Sequence, residues 1–496
     1  MTDPGDTVLQ PGRSCWRIEP AERFALIIDA ADYFRHAKAA MLKARSRIML
    51  IGWDFDVRIE FEPEKQTLEG PNRLGDFLAW LPGNRPELCI YMLKWDLGVL
   101  RSLGRGMAPL FIRNWTTGKR LRFKLDGVHP AGAAHHQKIV VIDDALAFCG
   151  GIDITTDRWD TRNHQDGHPC RLRPNGGPHG PWHDATTAVD GKAAYAIGEL
   201  ARERWRQAAD ERIEPARGGN DPWPDDLTAT IRHVAVGIAR TFPENEGRKA
   251  VTEIEALYLR AIAGARRTIY LESQYLASRR LAEVLAKRLR ERNGPEIVLV
   301  LPESAEGWLE QKAMDGARVS LLRMLWGTDA HGRFGAFYPV TAGGKPIYVH
   351  AKIMVIDDKL LRVGSSNLNN RSMSFDTECD LALEAERDSP ADERLRDAIV
   401  AIRNDLLSEH LGVESEALRK TLEEVDTSLL AAIEKLRGTG RTLRPFKPGY
   451  VADDESAFAE NELLDPEQRS ASAAERLAGS FRDFASRIKR RRAERS

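Results

Sequence analysis

Short, unbroken apolar runs punctuate this chain, and two of them follow longer stretches whose apolar positions recur at helical spacing. The runs Ile48–Ile51, Ile139–Ile142, Ile269–Leu271 and Ile353–Ile356 have the length and side chains of strands. Because they do not alternate with polar residues, they read as strands buried on both faces. The stretch FALIIDAADYFRHAKAAMLKA from Phe24 reads as a helix leading into Ile48, and EIEALYLRAIAGA from Glu253 as a helix leading into Ile269. Alternating helices and buried strands predict an α/β fold of helix–sheet–helix layers.

The pattern occurs twice. HQKIVVIDD from His136 returns as HAKIMVIDD from His350, a shift of 214 residues. SRIMLIGW around Ile48 mirrors RTIYLESQ around Ile269, and PELCIYML from Pro86 mirrors PEIVLVLP from Pro295. Three collinear matches whose shifts differ only by loop-sized amounts mark an internal duplication. The predicted organisation is an N-terminal lobe over 1–215, a linker over 216–229 rich in Gly, Pro and Asp, and a C-terminal lobe over 230–410. Residues 411–496 form a helical and partly flexible extension: one or two surface helices, the loop GTGRTLRPFKPGY, an acidic stretch DDESAFAENELLDPE and a basic end. In that end Leu477, Phe481, Phe484 and Ile488 fall at helical spacing before Lys489–Arg492. Two readings stay open: a helix packed on the body, or an interfacial helix drawn to anionic lipid.

Composition narrows the class. With 496 residues, 42% hydrophobic and 30% charged, the chain has material for about three domains. A net charge of -1 excludes a globally basic nucleic-acid coat, and the apolar content excludes wholesale disorder. Five scattered cysteines (Cys15, Cys89, Cys149, Cys170, Cys379) with no CxxC pair fit a reducing compartment. The N-terminus lacks a signal-like apolar core, and no run reaches membrane-spanning length. These features predict a chain soluble when made and cytoplasmic, with export by a route that needs no cleaved signal left open.

The chemistry sits in the duplicated segment. Each copy carries His-x-Lys-x4-Asp, then six residues, then a glycine corner: His136, Lys138, Asp143 and Gly150-Gly151-Ile152-Asp153; His350, Lys352, Asp357 and Gly364-Ser365-Ser366-Asn367. Residues two apart on a strand project to one face, so each His stands beside its Lys. The alternative is a pair of edge histidines beside lysines without function, which recurrence in both copies disfavours.

This double motif resembles the phospholipase D superfamily, in which two such halves pack about a pseudo-two-fold axis with the active site between them. The resemblance covers about residues 20–410. GGIDITTDRWD from Gly150, PWHDATTAVDGKAAYAIGELARERW from Pro181 and IYLESQY around Ile269 are similar to segments of the eukaryotic-type phospholipases D. GSSNLNNRSMSFDTECDLALE is similar to the superfamily's second-motif tail. Two motifs in one chain imply a site complete in a monomer, unlike the small dimeric nucleases. The roughly 20 residues before the first lobe leave no room for a calcium- or phosphoinositide-binding module of the kind eukaryotic relatives carry.

What the resemblance implies is a phosphodiesterase that cleaves the headgroup-side bond of glycerophospholipids to phosphatidic acid, with transphosphatidylation as a companion reaction. His136 would be the nucleophile that forms a phosphohistidine, and His350 the acid, then the base. Lys138, Lys352 and Asn367 would hold the phosphate oxygens. Asp153 stands where many relatives carry Asn, so its phosphate contact requires protonation or a turn toward a lysine. Asp184 and Glu378 match the acidic residues that orient the two histidines in secreted bacterial relatives; each precedes a second acid (Asp190, Glu384) by six positions. No cofactor and no metal is implied. The partners implied are a phospholipid substrate and a membrane surface, with no nucleic acid. Rival readings are a cardiolipin synthase-type phosphatidyltransferase, a nuclease, and a lipid-binding scaffold without activity.

Not every motif residue is assigned to chemistry. Asp143 and Asp357 lie past the strand ends in Asp-Asp turns and read as structural, as do Gly150, Gly151, Gly364 and Ser365 at the corners. His135, His164, His168, His179 and His183, mostly in a Gly/Pro-rich insertion, lack metal-ligand spacing and read as a possible wall of the headgroup pocket.

Overall fold

The structure is a computed structural model that describes residues 7–96, 120–216, 218–245, 247–305, 308–386, 389–447 and Asp465. The proposed interfacial segment from Leu477 to Arg492 lies outside the described residues. In chain order the first half contributes β1 (Arg17–Ile28), β2 (Arg47–Gly52), β3 (Cys89–Trp95), β4 (Leu121–Asp126), β5 (Ile139–Ile142), β6 (Leu146–Gly150), β7 (Trp182–His183) and β8 (Ala185–Asp190). The second contributes β9 (Ile231–Phe242), β10 (Val251–Thr252), β11 (Thr268–Glu272), β12 (Glu296–Val300), β13 (Phe334–Val340), β14 (Tyr348–Val349), β15 (Ile353–Ile356), β16 (Leu360–Gly364) and β17 (Glu378–Glu384), and β18 (Thr442–Pro445) follows.

One continuous sheet runs through both halves. From the antiparallel β1–β9 pair it extends through β8, β6, β5, β2, β3 and β4 on one side. On the other it extends through β17, β16, β15, β11, β12 and β13, the same order of equivalent strands. The register repeats too: Ile48 faces Ile142 across β2–β5, and Ile269 faces Ile356 across β11–β15. A pseudo-two-fold axis therefore passes between β1 and β9, and the lobes are halves of one sheet.

The uninterrupted apolar runs have the predicted cause. Met49 and Ile51 of β2 point into a central core shared by both lobes, while Ile48 and Leu50 point outward beneath the helices Ala30–Leu42 and Leu74–Asn84. In the second half Tyr270 joins the central core, whereas Ile269 and Leu271 pack under the helices Glu253–Gly264, Arg279–Arg290 and Trp308–Thr328. Both faces are covered, so there is no polar alternation.

Two local expectations are corrected. The stretch from Phe24 is not helical throughout: Phe24–Ile28 ends β1, and the helix starts at Ala30. The run FALII is claimed by ladders on both sides, to Val189–Ala185 of β8 and, at Phe24, to Ile231 of β9. The extension is also more integral than its surface-helix pattern suggested. Leu418 and Leu422 of Ser415–Glu424, and Leu429 and Ile433 of Leu429–Leu436, enter the central core. Within the expected loop, Thr442–Pro445 adds β18 to the sheet beside β13.

The turn aspartates tie motif to scaffold. Asp143 accepts the backbone N–H groups of Arg45 (2.7 Å), Ser46 (2.8 Å) and Arg47 (2.7 Å), just before β2. Asp357 does the same for Arg266 (2.9 Å), Arg267 (2.7 Å) and Thr268 (2.8 Å) before β11. Both are buried, and both adopt a left-handed backbone, at φ 53 and 54 degrees. Asp143→Ala orphans three amides and leaves alanine at positive φ. It is expected to cost about 3 kcal/mol, read by urea unfolding, without changing the arrangement of the site.

Candidate active site

The two histidine motifs meet across the pseudo-two-fold axis, and each is completed by the other half. His136 Nδ1 lies 3.0 Å from both carboxylate oxygens of Glu378, which starts β17 in the second lobe. His350 Nδ1 lies 2.6 Å from Asp184 Oδ2, between β7 and β8 in the first lobe. The backbone enforces the crossing. His136 N–H donates to Thr377 C=O at 3.0 Å, and His350 N–H donates to His183 C=O at 2.7 Å, the residue before the partner acid in each case. The short parallel pairing of β14 with β7 is part of this stitch. With Nδ1 held by a carboxylate, Nε2 of each ring faces the reaction.

The glycine corners exist because these acids need room. A Cβ on Gly151 would collide with the Asp184 carboxylate, and one on Gly150 with the Thr186 backbone. Gly364 is crowded in the same way by Asp380. The position equivalent to Gly151 is Ser365, whose hydroxyl donates to Glu378 Oε2 at 2.5 Å while Ser372 donates to Oε1 at 2.7 Å. The two corners thus differ because their acids are held differently.

Electrostatics set the resting charges. Burial, then Lys138 and Lys352, push His136 well below the usual imidazole range. Burial, then Lys352 and Arg158, do the same to His350. Burial pushes Glu378 up to about 8, although Ser365 and Ser372 donate to it. Burial lowers Lys352 to about 7. The lysines differ: Lys138 Nζ pairs with Asp153 Oδ2 at 2.9 Å, whereas Lys352 Nζ reaches His350 C=O and lies 3.5 Å from Gln274 Oε1. Asp153 is therefore turned to its lysine, and its other oxygen accepts Trp53 N–H at 3.1 Å. The Asn367 carboxamide oxygen is buried with no partner.

Sequence reasoning missed a wall on the His350 side. Trp182 stacks on Tyr348 at 4.5 Å and tilts against His350 at 5.2 Å, with the Arg158 guanidinium 4.2 Å over its ring. Gln274 donates to the hydroxyls of Tyr275 (2.8 Å) and Tyr348 (3.0 Å). The signal lay inside the quoted segments DRWD and PWHD, where attention went to the acids.

Of the five histidines assigned to the insertion and its flanks, His135 hydrogen-bonds through Nδ1 to Thr377 Oγ1 at 2.5 Å, and burial lowers it to about 3. His168 lies 3.0 Å from Glu64, and His179 Nδ1 lies 3.0 Å from Gly180 C=O. His164 and His183 instead converge with Asp29 and Glu409 in a buried cluster. His164 Nε2 is 3.5 Å from Asp29 and 3.3 Å from Glu409; His183 Nδ1 is 3.4 and 3.0 Å from the same two. Asp160 lies 3.0 Å from the other nitrogen of His164, and Glu272 lies 2.9 Å from that of His183. Two carboxylates and two imidazoles at this spacing fit a divalent cation, and outer carboxylates orient both rings. All four donors are buried, Asp29 is hydrogen-bonded to the Asp184 backbone and His183 precedes it, so a cation held there would brace the Asp184 strand rather than meet substrate. With protons in its place, Asp29, Asp160 and Glu409 overcome burial and hold His164 up to about 9. Linear spacing could not reveal this set, because Asp29 and Glu409 come from opposite ends of the duplicated region.

Comparison with known proteins places one match on each motif. Residues 126–282 match the family described as Phospholipase D, and residues 258–395 match the family described as Cardiolipin synthase, PLD-like domain. Phospholipase D alpha 4 of Arabidopsis thaliana is 22% identical, covering 83% of this chain and 66% of that one. Phospholipase D A of Dictyostelium discoideum is 23% identical, covering 72% of this chain and 32% of its own length. The chain thus spans between about a third and two thirds of the curated relatives it matches. The crystal structure of phosphatidylserine synthase from Haemophilus influenzae Rd KW20 superposes over 84% of this chain and 96% of that one, with TM-score 0.54 at 13% identity, a likeness of fold. Duplicated motifs, crossed acids and a family match at each motif agree: the chain belongs to the phospholipase D superfamily.

Proposed function

We propose that this protein is a phospholipase D, hydrolysing the headgroup-side phosphodiester of glycerophospholipids to phosphatidic acid and a free alcohol. The observation that carries the reading is the facing pair of histidines, each oriented at Nδ1 by a carboxylate from the other lobe. His136 Nε2 attacks phosphorus; an N–P bond forms, the P–O bond to the headgroup breaks, and His350 delivers a proton to the departing oxygen. His350 then takes a proton from water, whose oxygen displaces His136 and releases phosphatidic acid.

The charges suit this order. A nucleophile must be neutral, and burial with the two lysines keeps His136 so. Burial holds His350 down, with Lys352 and Arg158 adding to it; a phosphodiester's negative charge offsets those cations and so favours protonation of His350 on substrate binding. Lys352 and the carboxamide nitrogen of Asn367, both donors to phosphoryl oxygens, grip the phosphoryl group, with Lys138 shared with Asp153.

An alcohol in place of water gives phosphatidyl transfer by the same residues, and the match of residues 258–395 to the cardiolipin synthase description favours keeping that outcome in the assay. No helix among the described residues is long and apolar enough to cross a membrane. The reading has the chain act as a monomer at a membrane surface, in its own cytoplasm or after export. Headgroup release across a phospholipid panel, with and without glycerol, is the test. Release that is absent with His136→Ala and His350→Ala supports it. Nucleotide release from DNA with no lipid turnover would replace it with a nuclease.

A further inference from the structure

Within the acidic stretch, Asp465 is the described residue, and it lies in the interior. Asp465 is 0% exposed. Its Oδ2 accepts Asn370 N–H at 3.0 Å, its Oδ1 accepts Arg371 N–H at 2.7 Å, and its own carbonyl accepts the Asn370 carboxamide at 3.2 Å. Those amides open the short helix Asn370–Ser374, whose first N–H groups have no partner within the helix. A carboxylate this deeply buried is retained only where such donors compensate its lost hydration.

What it holds is the support of His136. Ser372, the next residue, donates to Glu378 Oε1 at 2.7 Å and accepts Asn367 N–H at 3.0 Å. Glu378 in turn holds His136 Nδ1. Arg371 grips Asp376 through two bonds of 3.0 and 2.7 Å and donates to Gly132 C=O at 2.8 Å. Asp376 also accepts Ala134 N–H at 2.7 Å, fixing the strand that runs into His136. The turn docked by Asp465 therefore reaches His136 both through its carboxylate partner and through the backbone before it. His350 has a different support, the buried cluster behind Asp184.

We infer that Asp465 is a positioning residue for His136: by seating the Asn370–Ser374 turn it fixes Ser372 and Glu378, and so makes the C-terminal extension part of the reaction site. The inference rests on reading His136 as the nucleophile. Bis(p-nitrophenyl) phosphate is a suitable probe, because it reports the nucleophile whichever phosphodiester is the natural substrate. In the full-length protein, Asp465→Ala is expected to lower kcat about tenfold with KM changed less than twofold. Asp465→Asn, which keeps one of the two acceptor oxygens, should recover part of the loss. In a Ser372→Ala background, Asp465→Ala should add less than a further twofold, because the path is already cut. Wild-type kcat in Asp465→Ala, or a full tenfold effect added to Ser372→Ala, overturns the inference. So does equal damage in Asp465→Ala and Asp465→Asn. Failure of the lipid panel while these variants behave as stated would dismiss the phospholipid reading and leave Asp465 in its role; wild-type activity in His136→Ala would dismiss both.

Discussion

His350→Ala is expected to release one p-nitrophenolate per chain from bis(p-nitrophenyl) phosphate in a burst and then stall, with the phosphoryl group left on His136. The two half-reactions demand different things of His350. p-Nitrophenolate leaves without a proton, so attack by His136 proceeds; hydrolysis of the N–P bond still requires a base for water, and that base is gone. With a phospholipid the leaving alkoxide requires the proton too, and turnover should fall by about 10²–10⁴. His136→Ala should show no burst and turnover lower by about 10⁴ or more. Peptide mass analysis of the stalled protein, kept away from acid, locates the label. A phosphoryl group on His350 in the His136→Ala protein would reverse the assignment.

The second large effect is Glu378→Gln. Its carboxamide nitrogen can only donate, so wherever it faces His136 Nδ1 it selects the tautomer that carries hydrogen on Nε2 and removes the attacking lone pair. Above pH 8, where the wild-type carboxylate is ionised and accepts Nδ1–H, a fall in kcat of about 10³–10⁴ is expected, as for other histidines deprived of an orienting carboxylate. Stability should move the other way. Glu378 titrates near 8 in the fold against 4.5 as its ordinary value, so across that window the native state binds the extra proton. Wild-type stability from this group is full below 4.5 and lost as pH rises through 8, whereas glutamine does not titrate. Melting curves of the two proteins from pH 5 to 8.5 should show the variant gaining on the wild type as pH rises. A constant difference would mean that Glu378 is ionised throughout.

Much of this was legible in the chain because duplication made it so. A His two residues from a Lys means little once; twice, with glycine corners and Asn367, it marked the residues that the structure brings together. Asp184 and Glu378 were legible as a pair for the same reason, each six positions before a second acid at the end of its strand. That they serve opposite lobes was not, since partner choice depends on how β1 and β9 join the halves. The FALII run was ambiguous because five apolar residues fit either a strand or a helix face. The buried cluster of Asp29, His164, His183 and Glu409 left no local trace, its members being distant in sequence and met only through packing. Asp465 was hidden by its context: nothing in the sequence of an acidic stretch marks which carboxylate meets the turn at Asn370.

The crossing of the acids carries a consequence for what the halves can do apart. Suppose two copies of the second half associated through β9, as β1 and β9 do here. Each His350 would then meet a glutamate held by serine hydroxyls, in place of the Asp184 that Gly151 makes room for. Two first halves would offer each His136 an aspartate, one methylene shorter, with no serine corner behind it. The halves have diverged into complementary parts that are no longer interchangeable. Symmetry of the sheet survives, but in the proposed reaction symmetry of function does not: one half supplies attack, the other proton traffic, and each lends the other its compass.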